Sequence, residues 1–317
     1  MSEAAQDGAS RPGEWPALRV DDWTETRDTL QMWLQIVGKV RLAKAPMVNH
    51  WWQVPLYLTP RGLTTSVIPD RPRTFEIEFD FCTHELHVDL EGGDRRTVRL
   101  GPKPVADFYA ETFGCLGELG IDVAIWTQPV EVERAIPFER DREHAAYDPG
   151  HAQLFWRQLL AADRVFKRFR GRFIGKVSPV HFFWGGMDLA CTRFSGRPAP
   201  RHPGGAPHLG DWVMVEAYSH ELSSAGFWPG DGEEGAFYAY AYPTPDGFGE
   251  HPVAPAEAFY SDESDEFLLP YEAVRAAPDP DAALLEFLQT SYEAAAELGG
   301  WDRRALEDDP ARRARPR

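Results

Sequence analysis

Phe173–Arg197 reads FIGKVSPVHFFWGGMDLACTRFSGR. Its apolar run reads as buried strand, yet it carries Lys176, His181, Arg193 and Arg197. Polar groups in such a run cost about 1–3 kcal/mol each unless they find partners, so the stretch marks a candidate site. Residues 36–61, IVGKVRLAKAPMVNHWWQVPLYLTPR, repeat its order: Gly-Lys-Val, Pro, His-aromatic-aromatic, an apolar run, then Arg.

The parallel extends outward on both sides. After Arg61 comes FDFCTHEL (79–86), and after Arg193 comes VEAYSHEL (215–222), with acid, His, Glu and Leu in one register. Each half closes on a helix ending Glu-Leu-Gly, at Glu118–Gly120 and Glu297–Gly299. These matches, all in one order, predict a duplicated α-β-β-β-β-α unit. The fold class is then α+β: antiparallel sheets with helices packed on one face, the copies related by a pseudo-two-fold. The first repeat spans 15–135, a solvated linker 136–150 and the second repeat 151–306. The polar ends, 1–14 and 307–317, are expected to be disordered.

Periodicity places the elements. Trp23, Leu30, Trp33, Leu34 and Val37 predict a helix over 22–37, ended by Gly38. Strands are predicted at 51–58, 63–68, 74–81, 86–90 and 97–100, a helix at 105–119 and a short strand at 123–127. A helix at 151–170, a strand at 212–218, a turn at 219–230, a strand at 237–242, an acidic loop at 244–266 and a helix at 282–298 complete the chain.

Composition narrows the function. Thirty-three Lys and Arg against fifty Asp and Glu leave a net charge of −17. That field repels phosphate backbones and anionic lipid, so neither nucleic acid nor a membrane is expected as partner. Cys82, Cys115 and Cys191 lie far apart without metal or disulfide spacing. With no apolar core near the N-terminus and no 18-residue apolar run, a cytoplasmic protein is expected.

The motifs NHWWQVPLY, RGLTTS, IGKVSPVHFFWG, TRFSGRPAP, EAYSHELSSAGFWPG, FYAYAYP and FLLPYEAVR resemble those of an uncharacterised bacterial family, domain of unknown function 5996. The resemblance runs from Trp15 to Glu307. It implies no activity, which has to be argued from the residues.

His50 and His181 each precede two aromatics, where a neutral imidazole serves as base or orienting donor. His220 sits beside Glu221, four residues after Glu216, in a hydroxyl-rich segment with Ser219. Arg61, Arg193 and Arg197 stand beside hydroxyl residues, the usual equipment for a carboxylate or phosphate. The expectation is an enzyme acting on a small anionic metabolite in a cleft between the repeats. His181, His220 and Glu216 would transfer protons. Arg61, Arg193, Arg197, His50 and Ser219 would bind substrate, and Trp184, Trp228 and Tyr240 would wall the pocket. Elimination, cyclisation or isomerisation suits that set. No Gly-x-Ser-x-Gly, P-loop or dinucleotide fingerprint occurs, so no cofactor is expected. Two alternatives stay open: a non-catalytic small-molecule binder, and a metal-dependent lyase or oxygenase using His50, His181, His220, Glu216 and Asp80. A homodimer also stays open.

Overall fold

The computed structural model describes residues 15–230 and 232–308. Helix α1 (Val20–Lys44) leads into six short strands. These are β1 (Tyr57–Leu58), β2 (Gly62–Thr64), β3 (Ile68–Asp70), β4 (Arg73–Asp80), β5 (Glu85–Leu90) and β6 (Arg95–Arg99), followed by α2 (Val105–Glu118). The second run opens with α3 (Pro149–Arg170), β7 (His181–Phe183), β8 (Asp188–Pro198), α4 (Asp211–Ala217), β9 (His220–Trp228) and β10 (Ala236–Tyr242). It ends with β11 (Phe259–Ser261), β12 (Glu266–Pro270), α5 (Tyr271–Ala276), α6 (Pro280–Leu298) and α7 (Arg303–Leu306).

All strand pairs are antiparallel, making this an α+β protein. One six-stranded sheet has the order β1-β2-β4-β5-β6 with β3 on β4; the other runs β11-β12-β10-β9-β8-β7. They meet edge to edge, where Leu56 and Phe182 donate to each other's carbonyls at 2.9 and 3.0 Å. Among the described residues no helix is long and apolar enough to cross a membrane.

Alternation along β4 buries Phe75, Ile77 and Phe79 beneath α1 and α2. Phe79 and Trp33 both stack on Phe108, with centroids 6.3 and 4.6 Å away. In the second sheet Phe182 meets Phe155 of α3, while Phe227 and Phe237 pack on Tyr271 of α5. Both α3 and α6 begin with an aspartate, Asp148 or Asp279, accepting a backbone N–H, with proline next. That pairing satisfies an otherwise orphaned donor and presets the first helical φ.

Several expectations need correction. Helix α1 runs through Gly38 to Lys44, because tertiary packing against Trp184 outweighs the propensity of one glycine. Residues 211–217 form helix α4 and not a strand; a short run apolar on both sides does not discriminate the two. Residues 220–228 are strand β9 rather than a turn, and its small residues make room for tyrosines across the sheet. No regular element forms at 123–127. The 136–150 segment is a packed strap rather than a solvated linker. Its fully buried Asp141 accepts the N–H groups of Glu143 and His144, and carbonyls of Asp141 and His144 accept from Ala106 and Val105 at the start of α2. The chain stays ordered past 306, where Asp308 donates its N–H to the Arg172 carbonyl at 2.9 Å. Residues 1–14 and 309–317 lie outside the described residues. The sequence-matched pairs also differ in setting: His50 is in a 3-10 turn and His181 in β7, while Asp80 ends β4 and Glu216 lies in α4.

Candidate functional site

Antiparallel pairing aligns Thr192, Ser224 and Tyr240 across β8, β9 and β10, and likewise Ala190, Gly226 and Tyr238. Paired residues share a face, so these side chains stand on the side away from α3 and α6. A cavity of about 340 Å³ lies there, a size suited to a small organic ligand. The first half contributes Leu42, Val54, Val130, Glu131 and the turn His50–Trp52; the second contributes its sheet face and α4. The walls are aromatic: Trp51, Trp52, Phe183, Trp184, Phe194 and Trp212.

The turn at Asn49–Trp51 is strained. His50 and Trp51 have φ of 57° and 61°, the left-handed region, which costs an L-residue about 1–2 kcal/mol. Helix α4 holds it there. His50 donates its backbone N–H to Glu216 Oε1 at 3.0 Å, and Trp51 Nε1 donates to the Val213 carbonyl at 3.0 Å. Nδ1 of His50 lies 3.1 Å from the Ala217 carbonyl, so it carries the proton. Nε2 then accepts from Lys176 Nζ at 2.6 Å. Burial first, then the Lys176 charge, holds this imidazole below its usual pKa. With both nitrogens engaged, His50 braces the cavity wall.

Two carboxyl groups supply the polar chemistry. Asp188 accepts from the Tyr238 hydroxyl at 2.5 Å. Gly226 permits this contact, since a Cβ there would collide with the Tyr238 ring. Burial pushes the Asp188 carboxyl up to about 6. Glu131 packs against the Gly185–Gly186 turn at a left-handed φ of 58°. The residue as a whole is exposed, but its carboxyl reaches the cavity and is crowded by protein, and this desolvation plus the Asp188 charge push it up to about 7. No described residue donates a hydrogen bond to the Glu131 carboxylate. The remaining hydroxyls pair among themselves, Tyr218 with Tyr240 at 2.8 Å and Thr192 with Ser224 at 2.9 Å. A second cavity of about 590 Å³ shares Asp188, Tyr238 and Tyr240 and adds Trp228, Glu263 and Glu266, extending the site into a trough.

Of the expected site residues, His50, Trp184 and Tyr240 line the first cavity and Trp228 the second. Glu216 and His220 stand behind the His50 turn, the His220 ring 5.6 Å from that of His50 and its Nδ1 3.1 Å from Ser219 Oγ. His181 lies under Trp52, its Nε2 buried without a partner, and burial pushes its pKa down to about 3. The arginines are elsewhere. Arg193 points to the helix side, its guanidinium 3.5 Å from the Phe169 ring centroid and 4.3 Å from that of Tyr292. Arg197 clamps Glu221 and the carbonyls of Gly299 and Gly300, and Arg61 pairs with Asp80. Among the described residues no group of three or more His, Cys, Asp or Glu is placed to hold a metal.

Sequence reasoning missed Asp188, Glu131, Tyr218 and Tyr238. Asp188 did leave a signal, a lone acid opening an apolar strand. Glu131 left none, because its partners are far along the chain.

Two antiparallel sheets, backed by helices and sharing an aromatic cavity at their joint, place the chain among α+β proteins with a small-molecule-sized site. The chain belongs to the family of unknown function DUF5996, whose profile matches residues 15–308. No match was found among curated proteins or solved structures.

Proposed function

We propose that this protein is a cytoplasmic enzyme of small-molecule metabolism, working by acid/base chemistry in the cavity between its halves. Asp188 and Glu131 are its proton-transfer groups. The observation that carries this reading is their pairing: two carboxyl groups facing one aromatic cavity, both raised toward neutral pH. Groups raised to that range gain and lose protons near neutral pH, so two of them facing one cavity can serve as acid and base. Elimination, cyclisation and isomerisation each need such a pair. The strained His50–Trp51 turn supports the reading, since backbone strain persists where function over-determines it.

The duplicated unit is part of the proposal. From the Leu56–Phe182 joint the strand order reads β1-β2-β4-β5-β6 in one direction and β7-β8-β9-β10-β12-β11 in the other. Two copies meeting at that joint would each give the cavity one wall.

Incubation with a cell metabolite extract in deuterated water tests the chemistry. A proton-transfer enzyme writes deuterium into its substrate, and mass spectrometry reads the label. Labelling should vanish in Asp188→Asn and in Ala206→Trp, which fills the cavity from a loop. Labelling that survives Asp188→Asn undiminished overturns the assignment. Ligand capture without labelling points to the non-catalytic binder.

A further inference from the structure

We infer that the cavity takes a protonated amine, with the ammonium group against Glu131 and Asp188 and its carbon chain between the indole faces. The inference rests on the cavity described above and names the charge of what fills it.

Hydrogen-bonding capacity decides the sign. No lysine, arginine, asparagine or glutamine lines the cavity. The indole N–H groups of Trp51 and Trp184 are already donated to the Val213 and Val54 carbonyls, at 3.0 and 2.9 Å. The Tyr238 O–H is donated to Asp188, and each remaining hydroxyl pair leaves one proton against several lone pairs. The indole N–H groups of Trp52 and Trp212 stay open as neutral donors, but the charged groups with capacity left are the Asp188 and Glu131 carboxyls, Glu131 above all. A ligand that completes it has to bring donors.

Aromatic walls favour the same ligand, since indole faces attract cations by about 0.5–2 kcal/mol. Lys176 does not reverse this. Its Nζ lies outside the lining, 5.2 Å from the Trp52 and Phe194 ring centroids, and Glu216 offsets its charge. The adjoining cavity adds Glu263 and Glu266 but no basic residue, and the chain as a whole carries −17. A field of that sign draws cations in and turns anions away.

Three probes of nearly equal shape separate the possibilities: n-butylammonium, 1-butanol and butyrate, each titrated into the full chain by calorimetry or NMR. Butylammonium is expected to bind about ten-fold tighter than 1-butanol, with butyrate the weakest. Glu131→Gln should weaken butylammonium by about five-fold or more and leave 1-butanol unchanged, which also reports that the variant is folded. Ala206→Trp should remove both. Equal or tighter binding of butyrate or 1-butanol overturns the inference, as does undiminished butylammonium affinity in Glu131→Gln. If 1-butanol alone binds and Ala206→Trp abolishes it, the cavity reading stands and the amine falls. Binding by none of the three also overturns the amine, whatever the deuterium experiment shows.

Discussion

Lys176 Nζ stands 2.6 Å from Nε2 of His50, whose other nitrogen faces the Ala217 carbonyl. A lysine ammonium has only donors, so the imidazole is neutral with its proton on Nδ1. His50, expected from the sequence to bind substrate, is therefore an acceptor fixed by a cation. Replacing Lys176 by methionine removes that cation, and the His50 pKa should rise toward its ordinary value. Nitrogen-detected NMR of the ring checks both the tautomer and the direction of the shift.

His181→Phe is expected to stabilise the fold. The wild-type ring buries an Nε2 without a partner, which costs on the order of 1 kcal/mol. Its folded pKa, about 3, lies below the unfolded value, so stability is full above about pH 6.5 and lost as pH falls toward 3. The advantage of the variant should therefore grow through that window in thermal melts. A variant less stable than wild type at pH 5 would contradict the assignment.

The carboxyl pair has the opposite sign. Both groups are raised in the folded state, so their contribution is full below about pH 4 and lost as pH rises through about 6 and 7. For Asp188, the more enclosed of the two, the loss is on the order of 3 kcal/mol. Asp188→Asn should lessen the fall in stability between about pH 4 and 6, leaving the part that Glu131 contributes toward pH 7. The titratable groups facing the pair are His50, held below its ordinary value, and Tyr218, Tyr238 and Tyr240, all pushed above theirs, so the difference between Asp188→Asn and wild type reads the carboxyl pair.

Arg193 is held by packing and not by ligand. Arg193→Ala should cost roughly 3 kcal/mol, leaving Phe169 and Tyr292 facing a hole, whereas Arg193→Met should cost much less. Chemical denaturation measures both. Butylammonium affinity should stay unchanged in the methionine variant, since the guanidinium lies on the far side of the sheet from the cavity.

The antiparallel sheets and the long helices were legible because alternation and 3.6-residue periodicity are local. Segment 212–218 was misread as a strand because so short a run, with apolar residues on both sides, carries no decisive period. The small residues of β9 looked like a turn because their reason lies across the sheet, where Tyr238 lies over Gly226. The stretch Phe173–Arg197 supplies β7 and most of β8, which line the cavity. Its most conspicuous charges misled, since Arg193 and Arg197 answer to partners on other elements. Glu131 was invisible, because only the fold brings it to the Gly185–Gly186 turn.

Gly38 sits inside α1 where a side chain would strike the indole of Trp184. Trp184 in turn forms a wall of the cavity and reaches the Val54 carbonyl. The depth of the pocket is thus set from behind, by an atom that is missing. One methyl group added at a point no guest molecule ever touches would push the indole forward and shut the door from the inside.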